Sequence, residues 1–177
     1  GWKFGEVISL NVSQVSLTNW AAGGLNSHAL NGLVGVYANY KKGKTNWDNH
    51  LDLGYGVIRQ FAQGESSESP WLKSDDKIDL TSKFGRRAFE KWNFGAMLNF
   101  KSQFAEGFND QTLPDSLRQK ISDFLAPAYI VVALGMDFKP NKELSMFIAP
   151  LTSKMTIVND QDLANAGAFG VQAAELD

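Results

Sequence analysis

The sequence predicts an all-β fold, an antiparallel up-and-down transmembrane β-barrel, from three observations. Apolar and polar residues alternate along segments as long as 47–57, whereas strands of soluble proteins average about 5–6 residues and membrane strands about 9–11. The connections alternate between short and long, as in outer-membrane barrels. Aromatic residues gather at both ends of the segments, where a bilayer has its two interfaces.

The alternation is clearest from Trp47 onward, where odd positions are apolar and even positions carry charge, imidazole or glycine. The same two faces recur along 8–12, 30–40, 78–84, 92–104 and 130–138. A seventh strand is predicted near 144–148, where Pro150 interrupts or bends it. An eighth strand is predicted in either 155–159 or 168–174. Short helices are predicted at 117–124 and 160–166.

In a barrel these two faces have different surroundings. The residues predicted to face lipid are Leu51, Leu53, Tyr55, Val57, Phe94, Leu98, Phe100, Ile130, Val132 and Leu134. The polar residues predicted to line the lumen are Asn31, Asn39, Asp48, His50, Asp52, Asp79, Lys83, Asn93, Asn99, Lys101 and Asp137.

The connections at 41–44, 90–91 and 140–142 are short, and those at 19–26, 62–75 and 105–125 are long. This order predicts periplasmic turns at one end of the barrel and outer loops at the other. The residues predicted to form the interfacial girdles are Trp20, Tyr40, Trp47, Trp71 and Trp92.

Composition sets the remaining bounds. The 177 residues suit a single domain, 1–177, and the last residues contain no aromatic closing strand, so further strands are expected beyond the C-terminus. The longest nearly apolar run, 124–136, contains Pro127 and is shorter than a spanning helix. A net charge of −2 gives no reason to expect nucleic acid as a partner. The absence of cysteine excludes disulfides and thiolate metal sites.

Three polar side chains share one face of the third segment. Asp48, His50 and Asp52 are candidates for a metal or acid–base site, but ordinary lining of a lumen is the favoured interpretation. A triad of Ser27, His28 and Asp52 has nothing to position it. The sequence therefore predicts no cofactor, no metal and no enzyme. The inner face carries charges of both signs, among them Lys83 and Asp137. This mixture predicts ion pairs between them rather than the ring of one sign that makes a pore selective for ions.

Several motifs resemble a known family. The segment 11–24, NVSQVSLTNWAAGG, is the most specific of them. The others lie at 47–49, 79–85, 103–104, 107–108, 121–129, 150–152, 160–164 and 167–170. The chain is similar to the domain of unknown function 3078 family of Bacteroidota. The resemblance implies an outer-membrane β-barrel and no particular activity.

These observations lead to a ranked set of functions. The first is a non-enzymatic outer-membrane barrel that serves as a scaffold or as a component of an envelope assembly, with the lipid bilayer and other envelope proteins as partners. The second is a pore or uptake channel for a small solute or lipid. The third is a membrane-embedded enzyme, which would need a convergent site in the lumen or at its rim. A soluble lipocalin-like barrel would instead turn the apolar face inward around a ligand, and periodicity alone does not separate these orientations.

Overall fold

In the computed structural model, residues 1–19, 23–62, 64 and 69–172 are described. Within them the fold is all-β, with seven long strands in one antiparallel sheet and almost no helix. The long strands are β1 (Trp2–Val15), β2 (Asn26–Lys42), β3 (Thr45–Phe61), β4 (Leu72–Phe89), β5 (Trp92–Ser102), β8 (Ala128–Phe138) and β9 (Met146–Ile157). A small second sheet contains β6 (Gly107–Phe108) and β7 (Lys120–Ser122).

The strand order of the large sheet is β1-β2-β3-β4-β5-β8-β9, so every long strand pairs with its neighbours in the chain. Among the described residues β1 and β9 are edge strands, and the sheet is open. The connections are 43–44, 90–91 and 139–145 at one end of the sheet and 16–25, 62–71 and 103–127 at the other. The predicted alternation of loop lengths is therefore present, although the turn at 139–145 is longer than the sequence suggested.

The register keeps like residues on like faces. Ile8 lies opposite Val34, Val34 opposite Leu53, and Leu53 opposite Ile78. Directly paired residues of antiparallel strands project to the same side of the sheet. One side is therefore apolar across all seven strands and is called the apolar face; the other is called the polar face. A slip of one residue in any strand would exchange its two sets of side chains.

The last long strand differs from its prediction. It runs from Met146 to Ile157 as one strand, so it starts after Leu144, and 155–159 contributes its end rather than an eighth strand. Pro150 is accommodated by a bulge, because Ala149 and Pro150 together lie opposite Gly135. A Cβ atom at Gly135 would collide with the carbonyl oxygen of Ile148, and glycine therefore permits this close approach.

Helical predictions have a mixed outcome. The predicted turn at 160–166 is confirmed as α1 (Gln161–Asn165), which begins after the N-cap residue Asp160. The helix predicted at 117–124 is wrong, because the strand β7 occupies its centre and pairs with β6. In 168–174 the described part forms a 3₁₀ turn (Ala168–Gly170), and residues 173–177 lie outside the described residues. No helix in the described chain is long and apolar enough to span a membrane.

Several buried residues lie at the long-loop end of the sheet. Ala126 and Ala128 are buried there, together with the polar Ser102. Residues 103–127, the connection between β5 and β8, are called the cap, and they contain β6 and β7.

Candidate functional site

The apolar face is the most prominent surface of the protein. All ten residues predicted to contact lipid project to this side, because Leu53, Phe100 and Ile130 belong to one continuous set of paired positions. Its large side chains are unusually exposed, with Phe4 71% and Leu151 66% accessible. Soluble monomers rarely expose a contiguous apolar surface of this extent, so the face requires an apolar environment.

The apolar face has a similar height on five of the seven long strands. On the first three strands it covers eleven residues each, at 2–12, 30–40 and 47–57. On β5 and β8 it covers nine, at 92–100 and 130–138. The next positions on the same side are polar or covered, namely Gln14, His28, Arg59, Ser102 and Ala128. We call the surface between these limits the apolar band.

Aromatic rings edge the apolar band at the short-turn end. The centroid of Trp2 lies 5.2 Å from Tyr40 and 5.7 Å from Trp47. Farther along the sheet, Trp92 lies 4.7 Å from Phe138. Three of the predicted girdle residues, Tyr40, Trp47 and Trp92, are therefore members of one row. Trp2 is a member that the sequence analysis missed, because it is the first residue of a strand whose alternation was recognised only from Ile8 onward.

The opposite limit of the apolar band is polar on β2 and β3. His28 and Arg59 are directly paired, and the Arg59 side chain donates to His28 Nδ1 at 2.9 Å. The Arg59 guanidinium also lies 4.8 Å from the ring of Trp71, which the sequence predicted as a girdle residue. Trp20, another residue predicted to belong to a girdle, lies outside the described residues. An arginine stacked on an exposed tryptophan is typical of a boundary between apolar and aqueous surroundings.

Four polar side chains interrupt the band near the aromatic row. One is Glu6 on β1, which is exposed and lies opposite Val36. The Asn49 amide donates to the carbonyl oxygen of Ala38 at 2.9 Å. Ser82 donates to the Asn49 side-chain oxygen and accepts from the indole N–H of Trp47 at 2.9 Å. Arg86 lies opposite Phe94, two positions from Trp92, where a long side chain can extend toward water. Asn49 and Ser82 are thus hydrogen-bonded within the protein, which lowers the cost of placing them on an apolar face.

The polar face carries all eleven residues predicted to line a lumen, as the register shows for Asp52, Asp79 and Lys101 in one row. Asp137 is buried and bonded by Lys139 at 3.0 Å, by Ser145 at 3.0 Å and by Lys83 at 3.4 Å. Asp79 accepts from Asn99 at 2.8 Å and pairs with Lys101 at 3.7 Å. Opposite charges of this face therefore contact one another rather than lining an open surface of one sign.

The polar face is also the more covered side of the strands. Away from the strand ends, the buried residues are Gly54, Gly56, Gly95, Ala133 and Asp137, and all five belong to this face. The glycines are covered by neighbouring side chains; the ring of Phe147, for example, lies over Gly95. Large rings that pack over glycines stabilise a curved sheet. The buried positions in the middle of the strands therefore lie on the polar face, whereas the large side chains of the apolar face are exposed.

The candidate site at Asp48, His50 and Asp52 is a surface pair rather than a cluster. His50 Nε2 lies 3.1 Å from Asp52 Oδ1, and both side chains are exposed. The described residues include no group of three or more histidine, cysteine or acidic side chains with metal-binding spacing. These side chains line an open groove of the polar face together with Tyr37 and Lys83.

An anchor that the sequence did not predict joins the cap to β4. The Asp76 carboxylate accepts from the backbone N–H groups of Phe104 at 2.7 Å and Ala105 at 2.9 Å, and it pairs with Lys73 at 2.9 Å. Lys73 also donates to the carbonyl oxygen of Ala105 at 2.9 Å. Asp76 lies opposite Tyr55 and Lys73 opposite Val57, so both side chains belong to the apolar side of the sheet. No local pattern reveals this anchor, since its partners are far apart in sequence.

A second contact joins the cap to the segment after β9. The Lys120 ammonium pairs with the carboxylates of Asp160 and, at 3.3 Å, Asp123. Asp160 also caps α1 by accepting from the N–H of Leu163 at 2.9 Å. The hydrogen bond from Lys120, followed by that from Leu163, holds the pKa of Asp160 below its ordinary value of 3.8. The hydrogen bond to Asp160 likewise raises the pKa of Lys120 above its ordinary value of 10.5.

These directions predict a contact that is insensitive to mild changes in pH. Stabilisation through Asp160 is complete above pH 3.8 and is lost as the pH falls through the lowered pKa. Stabilisation through Lys120 is complete below pH 10.5 and is lost as the pH rises through the raised pKa. Asp160→Asn, which keeps a good N-cap residue, should speed hydrogen exchange at Asn159, whose N–H donates to Leu125 in the cap.

The control for this prediction is Asp162→Asn, in the first turn of α1, which should leave exchange at Asn159 unchanged. The unmodified protein should show equal protection at about pH 7 and about pH 5 once intrinsic exchange is corrected. A loss of protection between these values, or equal effects of the two substitutions, would contradict the assigned role of the ion pair.

Comparison with known proteins gives one match. Residues 12–108 match the family model described as "Protein of unknown function (DUF3078)". The matched part covers more than half of the chain and runs from β1 into β6, so the motifs at 121–129 and beyond lie outside it. Neither the curated proteins nor the solved structures give a match. The chain belongs to the DUF3078 family of proteins of unknown function.

Proposed function

We propose that this sheet forms the wall of an outer-membrane β-barrel, with the apolar band in contact with lipid and the polar face turned to the interior. The barrel serves as a non-enzymatic scaffold or as a component of an envelope assembly. The observation that carries the proposal is the exposed apolar band, which keeps nearly the same height on neighbouring strands. The lipid bilayer is the partner that such a surface fits.

The height of the apolar band agrees with a bilayer. Strands of a membrane barrel tilt by about 40° and rise about 3.3 Å per residue. Nine to eleven residues then span roughly 20–25 Å, which is close to the apolar band of about 25 Å in outer-membrane barrels. A soluble sheet has no reason to limit its apolar face to nine to eleven residues on five of its strands.

The aromatic row also follows a tilted arrangement. Trp47 lies opposite Phe84, and Phe84 lies opposite Ala96, which is four residues beyond Trp92 along β5. Between β3 and β5 the row therefore steps along the strand direction. If the strands stood upright, these rings would lie at different depths in a bilayer. Strands that tilt, as closure into a barrel requires, bring them toward one interface.

The interior arrangement favours a scaffold over a channel or an enzyme. The contacts of Asp137 with Lys83 and Lys139, and of Asp79 with Lys101, neutralise charge inside the wall. A charge-selective pore would present a ring of one sign. An enzyme would need a convergent set of reactive groups, and Asp48, His50 and Asp52 do not form one.

Lipid contact imposes a condition on the edges of the sheet. The free edges of β1 and β9 expose backbone N–H and C=O groups, and such groups are not tolerated in hydrocarbon. The proposal therefore requires both edges to be paired in the membrane.

The deciding experiment is electrophoresis of the full-length protein in detergent, with and without heating. A closed barrel should migrate as a compact species unheated and shift on boiling, because its strands stay paired in detergent until heated. The matched sample is the Leu53→Arg variant. Its compact species should convert to the heated form at a lower temperature than that of the original protein. A protein that dissolves in plain buffer and shows no shift would overturn the proposal and favour a soluble barrel with its apolar face inward.

A further inference from the structure

The cap packs against the apolar side of the sheet, at the rim of the apolar band. Its residues 104 and 105 bond to Asp76 and Lys73, whose side chains project to that side. The N–H of Leu125 bonds to Ser102, which lies opposite Ile78 and therefore also projects to that side. The cap thus covers the ends of β4, β5 and β8 from the outside rather than closing over the polar interior.

The surface of the cap is sorted by polarity. In β7, Lys120 contacts Asp160, and Ser122 lies against Gly107 on the side of the hairpin that is near Lys73. Ile121, between them, projects away and is 48% exposed. Phe124 is also 48% exposed and Phe104 43% exposed. Each of these three apolar side chains therefore has close to half of its surface exposed.

From this placement we propose that Phe104, Ile121 and Phe124 form a lipid-contacting rim, which acts as the second interfacial girdle on this side of the barrel. The proposal rests on the proposed membrane function and adds a lipid contact made by a loop. Its occupant is the boundary between acyl chains and headgroups, because the three side chains continue the apolar band past Phe100 and Ile130, where the band on the strands stops.

The arrangement explains a difference between the two halves of the sheet. On β2 and β3 the upper limit of the band is made by strand residues and by Trp71 stacked on Arg59. On β5 and β8 the strands end with the small buried residues Ser102 and Ala128. Here the cap supplies the large apolar side chains that the strands lack.

Because the chain contains no cysteine, single-cysteine variants carrying a nitroxide label give an unambiguous test. Phe124→Cys and Ile121→Cys probe the rim, and Leu53→Cys marks the middle of the apolar band. Asp115→Cys is the matched control in the same cap, since the Asp115 side chain is 88% exposed. The labelled protein is reconstituted in phosphatidylcholine vesicles, and collisions of the label with oxygen and with a water-soluble nickel chelate are measured. Each variant must first show the heat-dependent shift of the unlabelled protein.

We expect the ratio of oxygen to nickel accessibility at positions 121 and 124 to be several-fold above that at 115 and below that at 53. If 121 and 124 behave like 115 while 53 remains in lipid, the rim is wrong and the membrane barrel stands. If position 53 is also accessible to nickel, the membrane function itself is wrong. Agreement of only one of the two rim positions with lipid would overturn the three-residue rim as stated.

Discussion

Leu53→Arg is expected to lower the free energy of unfolding in vesicles by about 2–4 kcal/mol. Leu53 lies between Val34 and Ile78 in the middle of the apolar band, far from either polar limit. An arginine there would have to carry its charge through most of a leaflet to reach water. Urea-induced unfolding of the reconstituted protein, followed by tryptophan fluorescence, measures the difference.

The neighbouring residue on β3 supplies the matched control. Asp52 projects to the polar face, where it is exposed and pairs with His50 at 3.1 Å. Asp52→Asn should therefore cost far less than the leucine substitution. Equal losses would show that the two faces have similar surroundings. A larger loss of stability from Asp52→Asn than from Leu53→Arg would mean that the polar face is the one more sensitive to substitution. That result would contradict the proposed orientation.

Asp76→Ala is expected to destabilise the protein by about 3 kcal/mol. The Asp76 side chain is 5% exposed and satisfies two backbone N–H groups and the Lys73 ammonium at once. Its removal leaves three donors without their acceptor at a buried position, which costs more than the loss of one average hydrogen bond. The same substitution should release the cap, so amide exchange at Phe104 and Ala105 should rise with the loss of stability.

Asp115→Ala is the control for this effect. Asp115 also lies in the cap and pairs with Arg118 at 3.2 Å, but its side chain is exposed, and exposed ion pairs contribute little. The Asp115 variant should unfold at nearly the same urea concentration as the original protein. If the two substitutions had equal effects, Asp76 would not be the anchor of the cap.

The strands could be predicted because their pattern is local. Leu51, Leu53 and Tyr55 alternate with Asp52 and Gly54, and this period of two fixes both the conformation and the membership of each face. Pairing of consecutive strands by short turns then extends the two faces across the sheet. The helix α1 was predictable for a similar reason, since Asp160 precedes it and caps it.

The errors arose where a local pattern met a tertiary constraint. The segment 117–124 has helical composition, yet Lys120 and Ser122 of β7 pair with Phe108 and Gly107 of β6, and Lys120 also binds Asp160. Pro150 was predicted to interrupt or bend the seventh strand, and the bulge opposite Gly135 lets β9 continue past it. In both cases the residues that pair with the segment lie many positions away in the sequence. The segment alone therefore does not determine its conformation.

The two unlike faces, the residues that belong to each, and the end at which the long connections lie could all be predicted from the sequence. These properties follow from alternation and from loop length, which are local. The position of the cap, and the face that carries the buried residues in the middle of the strands, could be found only from the folded structure. Those depend on Asp76 meeting residues 104 and 105 and on Lys120 meeting Asp160, contacts between distant parts of the chain. The physical reason is that burial and ion pairing act between neighbours in space, which a linear pattern does not specify.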